Sequence, residues 1–235
     1  MIVLNILINW PFLVEDREVS DSLDKKISRF QNKKAHELPL HNMHSKAKNF
    51  IVAIGASAGA LKPLKTFFDS TRNNRTAYII IQHLHPEIKS LTIDILKLHS
   101  ELEIVEAEDG IYIDENKVYL LPSSCFMTMK NSRLYLSPRD KFALYPNLAI
   151  NIFLESLAKE KGDQSIAIIL SGMGSDGSEG AKTIKQNGGM VIVQTPESCE
   201  YSSMPESAIQ TGCVDYELLP EEMPGAILEH ITETD

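Results

Sequence analysis

A chain of 235 residues, 43% hydrophobic and 23% charged, has the length for one large domain or two small ones and the balance of a globular protein. Its net charge of −9 is uneven: residues 1–49 hold eight basic and six acidic side chains, so residues 50–235 carry −11, an excess that would repel a nucleic-acid backbone. Three widely spaced cysteines without a CxxC pair argue against a disulfide scaffold or a zinc site and for a reduced, cytoplasmic setting, and no run of 18 apolar residues predicts a membrane span.

Residues 1–14 are apolar but lack a basic start and a small-residue cleavage site, so they are not read as a signal peptide. Val19, Leu23, Ile27 and Phe30 recur at helical intervals and predict an amphipathic docking helix, with residues 39–48 as a linker. Residues 1–48 are thus an N-terminal extension, too short to bury a core of their own, and residues 49–235 form the main domain.

From Phe50 strands and helices alternate. The run Phe50 to Ala56 reads as a buried parallel strand, and Leu61, Leu64, Phe67 and Phe68 mark the helix after it. Ala77 to Gln82 is a second buried strand, followed by a helix from about Ser90 to Leu98 and a short strand near Glu103 to Val105. Turn signals at Asp109-Gly110, Asn116-Lys117 and Asn131-Ser132 make Val118 to Leu121, Phe126 to Met129 and Leu134 to Leu136 read as inserted hairpins. A helix over Leu148 to Lys161 and the strand Ser165 to Leu170 come next. Then follow a helix near Ser178 to Asn187, a strand over Met190 to Val193 and a capping-box spacing at Ser203 to Glu206 that opens a short helix. Val214 to Tyr216 reads as an edge strand and Pro220 to Ile231 as a last helix. The predicted fold is α/β: a doubly wound, mostly parallel sheet with an inserted antiparallel hairpin region.

Parallel strands joined by right-handed crossovers leave their carboxyl ends on one rim, where open α/β sheets bind ligands. Ser57 follows the first strand inside Gly55-Ala56-Ser57-Ala58-Gly59, a literal G-x-S-x-G turn; His83 follows the second; Asp176 lies in Ser171-Gly172-Met173-Gly174-Ser175-Asp176-Gly177 after the third. A hydroxyl, an imidazole and a carboxylate can therefore converge as nucleophile, base and orienting acid. Each has a plainer reading. Ser57 could cap the next helix, His83 could be a half-buried imidazole with His85 competing as base, Asp176 could be a turn residue or a cap for the next helix, and Met173 could fill a gap. A dinucleotide cradle is disfavoured because no acid ends the second strand, and the ordinary α/β-hydrolase order of serine, acid, histidine is not the order here. His83 and His85 lack a closely spaced third ligand, so no metal is expected.

Gly55-Ala56-Ser57, Gln82-His83-Leu84, Glu106 to Gly110, Ser171 to Gly177 and Ser203 to Ala208 together resemble the catalytic domain of the chemotaxis protein-glutamate methylesterases, the CheB family, over roughly Asn49 to Leu228. The stretch from Pro196 to Tyr216 is most similar to methylesterase domains fused to receptor methyltransferases. The resemblance implies hydrolysis of γ-glutamyl methyl esters on chemoreceptor cytoplasmic helices, releasing methanol, with glutamine deamidation as a related activity and no cofactor. It implies Ser57 as nucleophile, His83 as base and Asp176 as acid, with Met173, Ala58 and Gly174 at the oxyanion and substrate position. Further implied partners are a receptor methyltransferase or a response regulator. Three departures stand out. Residues 1–49 are too short for the family's receiver domain, so receiver control in cis is not expected; Ala60 replaces a common glycine and is expected to narrow the approach to the turn; and Asn151 replaces a common aspartate, which bears on substrate docking. The other reading kept open is a non-enzymatic signalling or binding module on the same fold, or a different small-ester hydrolase with the same three residues.

Overall fold

The structure is a computed structural model, described for residues 49–83, 91–139 and 147–234. The expected N-terminal amphipathic helix and His85 lie outside the described residues. Strands β1 (Ile51–Ala56) and β2 (Ala77–Gln82) flank helix α1 (Leu61–Ser70), and the short helix α2 (Thr92–Leu96) leads to β3 (Glu103–Glu106) and β4 (Lys117–Leu120). The pair β5 (Cys125–Lys130) and β6 (Arg133–Pro138) precedes α3 (Ala149–Lys161), after which β7 (Ser165–Ile169), α4 (Ser178–Gln186) and β8 (Met190–Gln194) complete the centre. Helix α5 (Ser203–Ile209), β9 (Tyr216–Leu218) and α6 (Met223–Thr234) close the chain.

Seven strands form one parallel sheet in the order β3-β4-β2-β1-β7-β8-β9, and β5 and β6 form a separate antiparallel hairpin. The α/β class with a hairpin insertion is therefore as expected, with one correction. Val118 to Leu121 is not part of a hairpin: β4 is an internal strand of the main sheet, paired in parallel with both β2 and β3. Its residues Val118, Tyr119 and Leu120 are all buried, the mark of a strand covered on both faces, whereas a hairpin would show one wet face.

Side chains along β1 go alternately to two cores. Ile51 and Ala53 join Phe153, Leu154 and Leu157 of α3 and Ala181 and Ile184 of α4 on one face. Val52, Ile54 and Ala56 join Leu64, Phe67 and Phe68 of α1 and Met223 and Ile227 of α6 on the other. Burying aliphatic side chains on both faces contributes about 1.5–3 kcal/mol each, which fixes the central strands rigidly. Ala60 belongs to the second core at 1% exposure with ordinary helical backbone angles, so it supports α1 from beneath rather than narrowing the approach to the turn. Because β1 pairs with β2 on one side and β7 on the other, the three loops that follow these strands emerge side by side.

Candidate active site

Ser57 is the first residue beyond β1, and its backbone is held on two sides: its N–H donates to the Ser171 carbonyl at 3.1 Å, and its carbonyl accepts from Ala60 N–H at 3.2 Å. Gly59 closes the turn at φ +72, where a side chain would be strained and its Cβ would fall 2.7 Å from Glu200 Cβ. Gly172 is required for a different reason. A Cβ there would lie 2.8 Å from Ser57 Cβ and 2.2 Å from Met204 Sδ, so the glycine-rich loop rests directly on the serine. The N-cap of α1 is Ala60, without a side-chain cap, so Ser57 does not serve as the helix cap. Its hydroxyl makes no hydrogen bond to any described residue.

His83 follows β2 in register with this turn. Ala56 pairs with Gln82, and His83 N–H donates to the Ala56 carbonyl at 2.9 Å, so Ser57 and His83 leave adjacent strands at the same level, about 5 Å apart in backbone. The imidazole is mostly buried, with 16% of its side chain exposed, and its Nε2 meets Asp176 Oδ2 at 2.7 Å. Nδ1 is the ring nitrogen not committed to the carboxylate.

Asp176 reaches this position because it caps a helix, though not the one that follows it in sequence. Its Oδ2 accepts from Ile150 N–H at 2.9 Å and its Oδ1 from Asn151 N–H at 3.0 Å, both at the first turn of α3, and Gly177 N–H adds a third amide. The α3 N-terminus thus presents its positive end to the carboxylate. The arrangement is reciprocal. Asn151 Oδ1 accepts from Gly177 and Gly180 N–H, each at 2.9 Å, at the start of α4. Asn151 is buried at 9% exposure, so the departure read as a change in substrate docking is a bracket between two helices.

The loop between Ser171 and Asp176 supplies backbone amides beside Ser57. Its Met173 amide, like the Ala58 amide of the Ser57 turn, donates to no described group, while the Met173 side chain is 60% exposed. The Gly174 amide is engaged, donating to Ser203 Oγ at 3.1 Å. Ser203 Oγ also donates to the Gly172 carbonyl, so the expected capping box is not formed: Ser202 is the N-cap of α5 and Ser203 ties the loop to that helix. Nearby, burial and then the charges of Glu197 and Glu206 push the Cys199 thiol up to about 11.

Ser57, His83 and Asp176 are all found at one rim; sequence reasoning did not foresee the parts of Asn151, Ser171, Ser203 and Gln194. Gln194 had one signal: a polar end to the apolar strand Met190 to Val193, and its buried side chain accepts from Ser171 N–H at 3.0 Å.

The family model described as CheB methylesterase matches residues 52–227. A protein of Rhodobacter capsulatus named "Uncharacterized 104.1 kDa protein in hypE 3'region" is 36% identical over 121 residues, which is 52% of this chain and 12% of that one. The protein-glutamate methylesterase/protein-glutamine glutaminase of Thermotoga maritima is 34% identical over 185 residues, covering 76% of this chain and 53% of its own length. The chain therefore spans about half the length of that relative and a smaller share of the first. The crystal structure of the Thermotoga maritima CheB methylesterase catalytic domain superposes with a TM-score of 0.70 at 30% identity, covering 77% of this chain and 98% of that domain. With the family model matching residues 52–227 and the fold matching that catalytic domain, the chain belongs to the CheB methylesterase family.

Proposed function

We propose that this protein hydrolyses γ-glutamyl methyl esters on the cytoplasmic helices of chemoreceptors, with deamidation of glutamine at the same positions as a related activity, and that Ser57, His83 and Asp176 carry the reaction in the cytoplasm. The observation that carries this reading is the 2.7 Å contact between His83 Nε2 and an Asp176 carboxylate fixed by three backbone amides, one strand away from Ser57. With Nε2 donating to Asp176, Nδ1 is the basic nitrogen for Ser57. Ser57 Oγ attacks the ester carbonyl and its proton passes to His83 Nδ1. The tetrahedral oxyanion meets the amides of Ala58 and Met173, each worth roughly a hundredfold or more in kcat. Collapse breaks the acyl–oxygen bond, and the methoxy group leaves as methanol with the proton from Nδ1. Water then attacks the acyl-enzyme, gives its proton to the same nitrogen, and Ser57 and the free glutamate are released. The open Ser57–His83 hydrogen bond fits a free enzyme, in which such contacts tighten on substrate binding.

Membership of the family and the names of the relatives support the substrate class. Docking to a receptor methyltransferase or a response regulator belongs to the same reading, as does residues 1–48 acting as an extension to the catalytic domain of residues 49–235. The experiment is methanol release from a methylated receptor cytoplasmic fragment by the wild-type chain and by Ser57→Ala. Loss of all release in the variant is expected; retained release would remove Ser57 from the chemistry.

A further inference from the structure

We infer that the hydroxyl of Ser171 is a positioning residue for the turn that holds Ser57, an inference that rests on the reading of Ser57 as nucleophile. Ser171 is fully buried two residues past the end of β7 and touches the turn twice. Its carbonyl accepts from Ser57 N–H, and its Oγ donates to the Ala58 carbonyl at 2.9 Å. With Ala60 N–H on the Ser57 carbonyl, both peptide carbonyls of the turn and the amide before it are held. The peptide unit between them, which bears the Ala58 N–H, is then fixed in direction while its own amide has no described partner.

The same hydroxyl also faces the opposite wall. Ser171 Oγ accepts from Tyr201 N–H at 3.1 Å and lies 3.2 Å from the Tyr201 carbonyl, and that carbonyl accepts from Gly172 N–H at 2.9 Å. Gly172 begins the loop that bears the Met173 amide, and its carbonyl is taken by Met204 N–H and Ser203 Oγ. One oxygen thus links the Ala58 carbonyl of the Ser57 turn, the Met173 loop and the segment that clamps that loop. Gln194 holds Ser171 from behind through its N–H and is itself tied to Ser198, so the hub has no slack of its own. Fixed amides act on a developing oxyanion without reorganising, which is where such a link affects turnover rather than substrate affinity.

The test uses the full chain with a methylated receptor cytoplasmic fragment, reading kcat and KM per folded molecule, with Ser171→Ala, Ser171→Thr, Ser57→Ala and, as a control, Ser165→Ala. Ser165 is a buried serine at the opposite end of β7 whose hydroxyl donates to the Gly162 carbonyl. Expected are a fall of about 10- to 100-fold in kcat for Ser171→Ala with KM within about twofold. Ser171→Thr, which keeps the hydroxyl, is expected to recover most of the loss, and Ser165→Ala to lower the unfolding midpoint with kcat unchanged. A Ser171→Ala enzyme with full kcat while Ser57→Ala is dead would overturn this inference alone. So would a loss in Ser171→Ala that Ser165→Ala reproduces, or one that Ser171→Thr fails to recover while folded. Activity remaining in Ser57→Ala would overturn the parent reading instead.

Discussion

At the scale of single residues, the contact between His83 Nε2 and Asp176 Oδ2 leaves Nδ1 as the ring nitrogen for the proposed exchange with Ser57. Asp176→Asn keeps an oxygen for the Asn151 and Gly177 amides but can turn an NH2 toward Nε2, where it also faces the Ile150 N–H. The ring would then carry its proton on Nδ1 and could not accept the one from Ser57. We expect kcat to fall by about 10³- to 10⁴-fold in a protein that still folds, measured as methanol release beside circular dichroism. A different outcome belongs to Cys199. Its thiol, pushed up to about 11, is almost wholly protonated at pH 8 and is expected to react with iodoacetamide more slowly in the folded chain than in the urea-unfolded one, as peptide mapping after timed alkylation would record.

At the scale of elements, two helices that are far apart in sequence hold each other's first turns. Asp176 from the loop before α4 caps α3, and Asn151 from α3 caps the start of α4. Asn151→Ala leaves the buried Gly180 amide without its acceptor and the Gly177 amide with Asp176 Oδ1 alone. The expected cost is about 1–3 kcal/mol, read from urea midpoints, together with a lower kcat because Gly177 also donates to Asp176. Gly172→Ala is expected to be worse. Its methyl would enter the space of Met204 Sδ and press on Ser57, so labelling of the serine by a fluorophosphonate should slow even where the fold survives.

These elements also show what a sequence discloses. Ser57, His83 and Asp176 were legible because each follows a strongly apolar strand, and parallel strands end on a common rim. The cap of α3 was not, because its carboxylate comes 26 residues after Ile150, and capping patterns are read only over three or four positions. The sequence does not separate β4 from a hairpin strand, because a short run between turn signals looks alike in a hairpin and in a parallel sheet; only its burial on both faces separates the two. The part of Ser203 was missed since a spacing that matches a capping box does not say which backbone its hydroxyl will meet.

For the whole molecule, the two cores on either side of one sheet keep the rim rigid, and their aromatic centre gives them an alkaline limit. Burial pushes the Tyr78 phenol up to about 12, against a smaller downward pull from its hydrogen bond with Asn74. Below pH 10 the phenol is protonated in folded and unfolded chains alike and stability is unaffected. Between pH 10 and 12 the unfolded chain loses its proton while the folded one keeps it, so this group's contribution falls as pH rises, by about 2 kcal/mol at pH 12. Urea midpoints at pH 9 and 11 should therefore separate more in the wild type than in Tyr78→Phe. The proposed hydrolysis rests on the rim, and the most direct measurement is mass-spectrometric mapping of the adduct left by a fluorophosphonate on the full chain. A single adduct on Ser57, lost in His83→Ala, is the predicted result; an adduct on another residue, or none from an enzyme that still releases methanol, would contradict the account.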